Sequence, residues 1–383
     1  MNLIKRTIDP DKCNILQFRE YQYALIPELI RLCFKYLETH GFTYDKTLYC
    51  EEVIDDIAYT SRYHFATIII RVKVSDNPKV MHFLEIVIPK LIEGQFFRLN
   101  GTLYIPQFYV ADEPITIKKN SISFYSLFSP ITINGLDNRV ILLGSNIPIA
   151  RFLKLYYTPE EIKALNFPIE FLNSNETLET VLKNFSKILG VPPVKDEIIR
   201  KIDLLFFDDW TSELYEEYYG IQPNMKEILD KMIQISSGNV SFIDIEHKRL
   251  VFIEYLLSPL FKSVTNAVNK LVTENHNPNL LGIKLGDIIS HFFNNLKKAN
   301  RYDSVNGFSG ILNLKGNFKN PKGGDELPSE VSNVHPSFKG KLCPITVSNT
   351  NPGESVTLIP EQNLKSLKFG IFEINGKKQT NSS

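Results

Sequence analysis

The residues with the widest chemical scope lie near the C-terminus, in the stretch HPSFKGKLCPITVSNTNPGE from His335 to Glu354. It holds one histidine, one cysteine and two lysines among three prolines and two glycines. Proline fixes the backbone angle φ and glycine permits tight turns, so the stretch predicts an irregular loop. Its residue types suit a metal site, a phosphate-binding loop, a catalytic loop or a plain connector.

The other groups that could do chemistry are dispersed. A metal site needs clustered ligands, whereas the seven histidines are scattered at His40, His64, His82, His247, His276, His291 and His335. The adjacent carboxylates in Asp55-Asp56 and Asp208-Asp209 point to different sides of a helix or strand. None of the motifs GxxxxGKS/T, GxGxxG, HExxH and GxSxG occurs. The sequence therefore predicts no cofactor bound by this chain and no self-contained active site.

Cysteine usage and hydropathy bear on the compartment. The four cysteines form no CxxC pair, which argues against a zinc ribbon and against a secreted disulfide scaffold. The N-terminal MNLIKRTIDPDKCN lacks the apolar region of a signal peptide, and no run of about 18 apolar residues occurs. We expect a cytoplasmic protein that is neither exported nor inserted in a membrane.

Length and charge predict a globular chain of two or three modules. Its 383 residues are 43% hydrophobic, enough to bury more than one core. Lysine plus arginine and aspartate plus glutamate both total 43, so the whole-chain charge predicts no polyanionic partner. Residues 295–383, however, hold 12 basic and 7 acidic residues, a net charge of +5. This basic quarter is the expected surface for any polyanion.

The elements that must position these residues are mixed. Apolar spacing predicts a helix over residues 23–40 with Gly41 as its C-cap. The runs HFATIIIRVKV and VMHFLEIVIP predict strands, and Asn100-Gly101 between apolar alternations predicts a hairpin. A second hairpin is expected from SISFYSLFSPITI and RVILLG. The first third of the chain is therefore predicted to be a helix followed by β-strands, and the second hairpin comes after it.

Helices dominate the middle of the sequence, from residue 147 to about residue 235. In TPEEIKAL, Thr158 and Glu161 predict a capping box. The run DDWTSELYEEYYG predicts a solvated acidic helix face rather than a site. Further helices are expected in RLVFIEYLLSPLFKSVTNAVNKLV and KLGDIISHFFNNLKKA, followed by a loop-rich tract over residues 301–362. These patterns predict an α+β, multi-domain protein.

The segment HPSFKGKLCPI resembles the HPxxxGxxCPI stretch of the large β subunit of cellular multisubunit RNA polymerases. The positions that match with identical spacing are His335, Pro336, Gly340, Cys343, Pro344 and Ile345. Five further blocks resemble the same family in the same order along the chain. They are IPKLIEGQFFRLNGTLYIPQFYV, IPIARFLKLYYTPEEIKAL, IDIEHKRL, ISHFFNNLKKANRYDSVNGFSGI and KFGIFE. The resemblance covers roughly residues 20–375.

The resemblance implies the N-terminal architecture of a β subunit, built from protrusion, lobe and fork modules. Residues 1–115 would form a first protrusion-like segment and 116–240 a reduced lobe. Residues 241–300 would form a second protrusion-like segment and 301–383 a fork-like, loop-rich region. The short chain implies either a truncation or the naturally split β subunit of a giant bacteriophage polymerase, and we favour the split subunit.

The resemblance also implies a function. This chain would form one wall of the cleft for DNA and the RNA–DNA hybrid, without itself binding metal or transferring protons. Its partners would be the C-terminal half of β, the β′ halves, template DNA, product RNA and possibly a promoter-specificity subunit. Catalytic Mg²⁺ is expected on β′, and the compartment would be the host cytoplasm. The alternative is a non-enzymatic adaptor that retains a β-like fold.

Two sets of residues follow from the resemblance. Those expected to face nucleic acid are Lys315, Lys319, Lys322, Lys339, Lys341 and Asn349. For each lysine, an ordinary solvated loop position is the alternative. Those expected to have structural roles are His335, Pro336, Gly340, Cys343, Pro344, Asp244 and His247. The chain departs from the family after Ile345, where the polar TVSNTNPG replaces a loop that carries carboxylates.

Overall fold

The protein is a mixed α+β structure with several small sheets. The computed structural model describes residues 15–40, 43–44, 49–53, 67–77, 80–89, 91–99, 102–118, 121–134, 139–142, 145–164, 176–235, 243–274, 300–301, 315–317, 332–343, 346, 355–359 and 363–373. The helices in these ranges are α1 Ile15–Ala24, α2 Ile26–Thr39, α3 Ile149–Tyr156, α4 Pro159–Ala164, α5 Leu178–Leu189, α6 Lys195–Phe206, α7 Asp209–Tyr219, α8 Met225–Ile235, α9 Ile253–Leu256 and α10 Ser258–Glu274.

The strands in the same ranges form four sheets. They are β1 Thr43–Tyr44, β2 Tyr49–Val53, β3 Thr67–Asn77, β4 Val80–Pro89, β5 Phe97–Leu99, β6 Thr102–Ile105, β7 Phe108–Asp112, β8 Ile115–Lys118, β9 Ser121–Phe124, β10 Ile131–Asn134, β11 Arg139–Leu142, β12 Ser145–Pro148, β13 Lys248–Val251, β14 Asn300–Arg301, β15 Lys315–Asn317, β16 Ser355–Thr357, β17 Leu364–Ser366 and β18 Ile371–Phe372. Two 3-10 helices matter below, Ile245–His247 and Pro336–Phe338.

The predicted N-terminal helix is confirmed as α2. Pro27 lies in its first turn, where a missing N–H costs no intrahelical hydrogen bond. The side chains of Leu29, Phe34 and Leu37 are fully buried, in keeping with the apolar stripe of the sequence. The helix ends at His40, whose N–H donates to the Leu37 carbonyl at 3.0 Å. The predicted C-cap Gly41 lies outside the described residues.

The predicted strands and the two predicted hairpins are confirmed. The runs predicted as strands form β3 and β4, which pair antiparallel along most of their length. Strands β5 and β6, which precede and follow Asn100-Gly101 in the sequence, pair antiparallel with Leu99 opposite Thr102. Strands β9, β10 and β11 belong to a five-stranded meander in which Asn134 lies opposite Arg139. These pairings are local, so alternation and turn residues were enough to predict them.

A six-stranded sheet joins distant parts of the chain. Its order is β16-β15-β7-β13-β18-β17, and β15 runs parallel to β7. The buried side chains of Phe108 and Leu250 lie at its centre. Main-chain hydrogen bonds of this sheet therefore link the predicted segments 1–115, 241–300 and 301–383.

One predicted helix is wrong in its first part. The run RLVFIEYLLSPLFKSVTNAVNKLV was expected to be helical throughout, but its start belongs to β13, followed by the short α9 and then α10. All four residues of β13 are buried between β7 and β18. Pairing on both edges outweighs helix propensity, which is a weak determinant beside tertiary contacts. The second predicted helix, KLGDIISHFFNNLKKA, lies outside the described residues.

The acidic run DDWTSELYEEYYG, predicted to be a solvated helix face, forms helix α7. The structure confirms a helix, but only part of its face is solvated: Asp209 and Glu213 are exposed, whereas Asp208, Trp210 and Tyr215 are buried. Asp208 is buried because its carboxylate caps the helix, accepting the Thr211 N–H at 2.9 Å.

The predicted capping box of helix α4 is confirmed. Its two hydrogen bonds are reciprocal, from Thr158 N–H to Glu161 Oε2 at 2.7 Å and from Glu161 N–H to Thr158 Oγ1 at 3.3 Å. They satisfy main-chain donors that the first turn of a helix leaves without a partner. No helix in the described ranges has the length and apolar character needed to cross a membrane.

Two buried titratable groups lie near the Tyr36 ring. The His40 ring lies 4.5 Å from it, centroid to centroid, and His40 Nδ1 is 2.7 Å from the Tyr36 carbonyl. Burial lowers the pKa of His40 from 6.5 to about 4. Burial also raises the pKa of Asp208 from 3.8 to about 6, although hydrogen bonds from Thr211 act in the opposite direction.

These two groups should make opposing contributions to the pH dependence of stability. Between pH 6.5 and 4, unfolded His40 binds a proton that folded His40 does not, so acidification destabilises the fold. Between pH 6 and 3.8, folded Asp208 binds a proton that the unfolded chain does not, so acidification stabilises the fold. The two effects share nearly the same pH window and offset each other.

Asp208→Asn should therefore reveal the pH dependence of stability that His40 contributes. Asparagine caps helices as well as aspartate does, so the variant removes the titration and keeps the cap. Relative to the unmodified chain, its unfolding free energy should fall by an additional 2 kcal/mol or so from pH 6.5 to 4. Urea unfolding at several pH values measures this, and His40→Gln should shift the profile in the opposite direction. Parallel profiles for all three proteins would contradict the assignment.

Candidate functional site

The stretch that carries the strongest resemblance forms a compact turn, which we call the motif loop (residues 332–343). His335 precedes the 3-10 helix Pro336–Phe338, and its Nδ1 accepts the Ser337 main-chain N–H at 3.3 Å. The same Nδ1 lies 2.7 Å from the Ser337 hydroxyl. Because Nδ1 is an acceptor here, a neutral His335 must carry its proton on Nε2.

The motif loop contains a serine, a histidine and a nearby aspartate, but they do not form a catalytic triad. Asp244 Oδ1 lies 3.8 Å from His335 Nδ1, the same ring nitrogen that contacts Ser337. A triad needs the carboxylate and the nucleophile on opposite ring nitrogens. His335 therefore acts as a helix cap, and the arrangement does not support nucleophilic catalysis.

A second turn, Ile245–His247, packs against the motif loop. The Ile245 N–H donates to Ser337 Oγ at 3.0 Å, and Lys341 Nζ lies 3.5 Å from Glu246 Oε1. Asp244 caps this turn by accepting the Glu246 N–H at 3.1 Å. The blocks IDIEHKRL and HPSFKGKLCPI, far apart in sequence, are therefore neighbours in the fold.

His247 connects the second turn to Glu113, which directly follows strand β7 of the six-stranded sheet. Its Nδ1 lies 3.1 Å from Glu113 Oε1, and its carbonyl accepts the Glu113 N–H at 3.1 Å. The hydrogen bond to Glu113 raises the pKa of His247 above its ordinary value, against the opposing effect of burial. Asp244 and His247 thus both have hydrogen-bond partners within the protein.

The motif loop is attached to the edge of the sheet. Gly340 has a φ of +74°, in the left-handed region that side chains other than glycine rarely adopt. The chain then runs beside β16: the Cys343 N–H donates to the Thr357 carbonyl at 2.8 Å, and the Ile359 N–H donates to the Lys341 carbonyl at 3.2 Å. Cys343 is half-buried. Pro344 lies outside the described residues.

The predicted nucleic-acid residues occupy different environments. Lys339, in the motif loop, is exposed. The side chain of Lys341 is only 4% exposed and faces Glu246, so it does not present its charge at the surface. The backbone of Lys315 begins β15. Lys319, Lys322 and Asn349 lie outside the described residues.

A second glycine of the resembling blocks has a clear physical requirement. Gly370, in KFGIFE, has a φ of +65°. Its carbonyl accepts the Leu250 N–H at 2.7 Å, where β13 meets β18. A Cβ added at Gly370 would lie 2.1 Å from the Leu250 carbonyl oxygen, well inside van der Waals contact. Only glycine allows these two blocks to approach so closely.

Sequence reasoning missed a buried ion pair beside this site. Arg249 in β13 donates two hydrogen bonds to Glu254, at 2.6 and 2.7 Å, and both side chains are almost fully buried. The Tyr125 hydroxyl also hydrogen-bonds Glu254, and its ring lies 4.7 Å from the guanidinium carbon. Burial raises the pKa of Tyr125 well above its ordinary value. The available signal was a pair of opposite charges inside the apolar run RLVFIEYLL.

A second buried arginine has no carboxylate among its hydrogen-bond partners in the described ranges. Arg19 donates to Gln95 Oε1 at 2.8 Å and to the Pro106 carbonyl at 2.9 Å, and its guanidinium lies 4.7 Å from the centre of the Phe108 ring. Burial lowers its pKa to about 9. Arg19 therefore joins α1 to the strands around Pro106. Over the same described ranges, no group of three or more His, Cys, Asp or Glu side chains could hold a metal ion.

Four of the six resembling blocks meet at the six-stranded sheet. They supply β7, β13, β18 and the motif loop, which runs beside β16. No family model matches the sequence, and no curated protein matches it. Function must therefore be inferred from the residues and from where the fold places them.

Proposed function

We propose that this chain is the N-terminal part of a β-type subunit of a multisubunit DNA-dependent RNA polymerase, of the split kind found in giant bacteriophages. The observation that carries the proposal is the meeting of four resembling blocks, drawn from distant parts of the chain, around one sheet. The six resembling blocks also follow one another along the chain in the same order as in that family. The protrusion, lobe and fork assignments are part of this proposal.

In this role the chain would form part of the wall of the nucleic-acid cleft, while the partner subunit would hold the metal ions. Mg²⁺ held by the partner β′ would stabilise the attacking and leaving oxygens during phosphodiester synthesis. The motif loop would line the cleft, and Lys339 would face the phosphate backbone there. Its charge would add to affinity by releasing counterions, independently of sequence.

The contacts of the motif loop suit a supporting role. Hydrogen bonds join it to the turn at Ile245 and to the strand at Thr357. The ion pair between Lys341 and Glu246 adds a third attachment. A loop held at three places keeps its outer residues in a fixed position, which a wall beside a nucleic-acid channel requires.

Copurification distinguishes the polymerase from the adaptor alternative. The tagged chain, expressed with its natural neighbours, should be recovered in a stoichiometric complex with a β C-terminal half and β′ chains. The complex should extend RNA on a primed DNA template in the presence of Mg²⁺. A chain that stays a lone monomer under these conditions would refute the polymerase proposal and leave the adaptor.

Lys339→Glu should weaken template binding by the assembled complex. If Lys339 contacts one phosphate, the slope of log K against log salt concentration should become shallower by about one. Fluorescence anisotropy with labelled template measures this slope. Lys187→Glu, at an exposed position on α5, is the matched control and should leave the slope unchanged. Equal slopes for both variants would assign Lys339 to ordinary solvation.

A further inference from the structure

Lys201, on helix α6, is a half-buried lysine that the polymerase proposal does not use. Within the described residues its ammonium group has no ion-pair or hydrogen-bond partner. Glu197, one helical turn earlier, is exposed and makes no ion pair with it there. Lysine usually keeps its charged end in water and is rarely buried without a partner. The charge of Lys201 is therefore partly removed from water without a carboxylate to compensate it.

His40, at the end of helix α2, lies within electrostatic range of Lys201 and cannot compensate its charge. The positive charge of Lys201 contributes to the lowered pKa of His40. His40 is 6% exposed, and its Nδ1 donates to the Tyr36 carbonyl at 2.7 Å. Nε2 of the neutral ring is then a buried acceptor, and it has no donor in the described part of the chain. The fold thus leaves a neutral imidazole, not a counter-charge, near the lysine.

These surroundings favour the uncharged form of the Lys201 amine. Partial burial lowers the pKa of Lys201 below its ordinary value, because removal from water penalises the charged form. Only the uncharged amine is a nucleophile, and desolvated lysines act as nucleophiles in enzymes for this reason. Lys201 is only half-buried, so a dissolved reagent can still approach it.

We propose that Lys201 is a site of acyl modification, with thioesters and acyl phosphates as the class of acyl donor. In this step the amine nitrogen bonds to the acyl carbon, and the bond from that carbon to sulfur or to the phosphate oxygen breaks. The amine proton passes to solvent, and the thiolate or phosphate leaves. The product is an uncharged amide, so acylation removes the charge that the fold leaves uncompensated. The inference does not depend on the polymerase proposal.

Acetylation of the full chain by acetyl phosphate tests the inference. The folded protein is incubated with a limiting amount of the reagent at neutral pH, and acetylation of each lysine is followed by peptide mass spectrometry. Lys201 should react at least about threefold faster than Lys187, an exposed lysine on α5. In concentrated urea the two lysines should react at similar rates, because the preference depends on the fold.

The titration of His40 provides a second measurement. Lys201→Gln places an uncharged amide at this position, as acetylation does, and should raise the pKa of His40 because the lysine charge lowers it. NMR titration of the His40 ring measures this shift, and Lys187→Gln is the matched control that should leave it unchanged.

Two results would overturn the inference. One is acetylation of Lys201 in the folded protein at a rate equal to or below that of Lys187. The other is a His40 titration that is the same in Lys201→Gln as in the unmodified chain, since Lys201 would then lie outside the environment assigned to it.

Discussion

Replacing Glu254 with alanine should lower the free energy of unfolding by about 3–5 kcal/mol. The reason is the position of Arg249, whose side chain is 1% exposed and donates hydrogen bonds to both carboxylate oxygens of Glu254. Removing the acid leaves a buried cation without its counter-charge and removes a partner of the Tyr125 hydroxyl. Urea unfolding followed by circular dichroism at pH 7 measures the loss.

Two further variants separate the buried charge from a general effect of losing a glutamate. Glu216→Ala, at an exposed position on α7, should change the unfolding free energy by no more than about 0.5 kcal/mol. The double variant Arg249→Met with Glu254→Leu should recover most of the loss, because apolar pairs of similar volume often replace buried ion pairs at little cost. A loss below about 1 kcal/mol for Glu254→Ala would contradict the predicted role of the pair.

Gly370→Ala should be similarly damaging, with a loss of at least about 3 kcal/mol. The new Cβ would lie 2.1 Å from the Leu250 carbonyl oxygen, so β13 and β18 would have to separate. Thermal and urea unfolding measure the loss, and proteolysis should show earlier cleavage near residue 370.

Gly190→Ala provides the matched control for this substitution. Gly190 has a φ of +66°, almost the value of Gly370, but no atom lies within 4 Å of a Cβ added there. It should cost only the backbone strain of a left-handed alanine, about 1 kcal/mol. The difference between the two variants isolates the steric contact with Leu250. Equal losses would show that backbone strain alone accounts for the glycine.

Local signals in the sequence predicted local structure well. The Asn100-Gly101 hairpin and the Thr158–Glu161 capping box depend on residues a few positions apart, and both are confirmed. Strand β13 was mistaken for helix because its pairing partners, β7 and β18, lie far away in the chain. Apolar periodicity over a short run cannot distinguish a strand buried on both edges from a buried helix.

The candidate site likewise has local features that the sequence predicts and long-range contacts that it does not. Loop character around Gly340 could be predicted from glycine and proline content alone. The contact between Ser337 and Ile245 could not, because it joins residues 92 positions apart. The burial of Lys341 follows from that contact, since the packed turn brings Glu246 against its ammonium group. Lysine in a polar loop is usually solvated, so composition favoured the wrong environment for this residue.

Strand β13 lies between two strands that are far apart in the sequence, so its two edges become paired at different times during synthesis. One neighbour, β7, is made long before β13, and the other, β18, is made among the last described residues. Until β18 emerges from the ribosome, β13 has an unpaired edge made of buried-type residues, and such edges recruit other strands. Nascent or prematurely released chains should therefore aggregate more readily than complete ones, and a chaperone that shields this edge should raise the yield of folded protein.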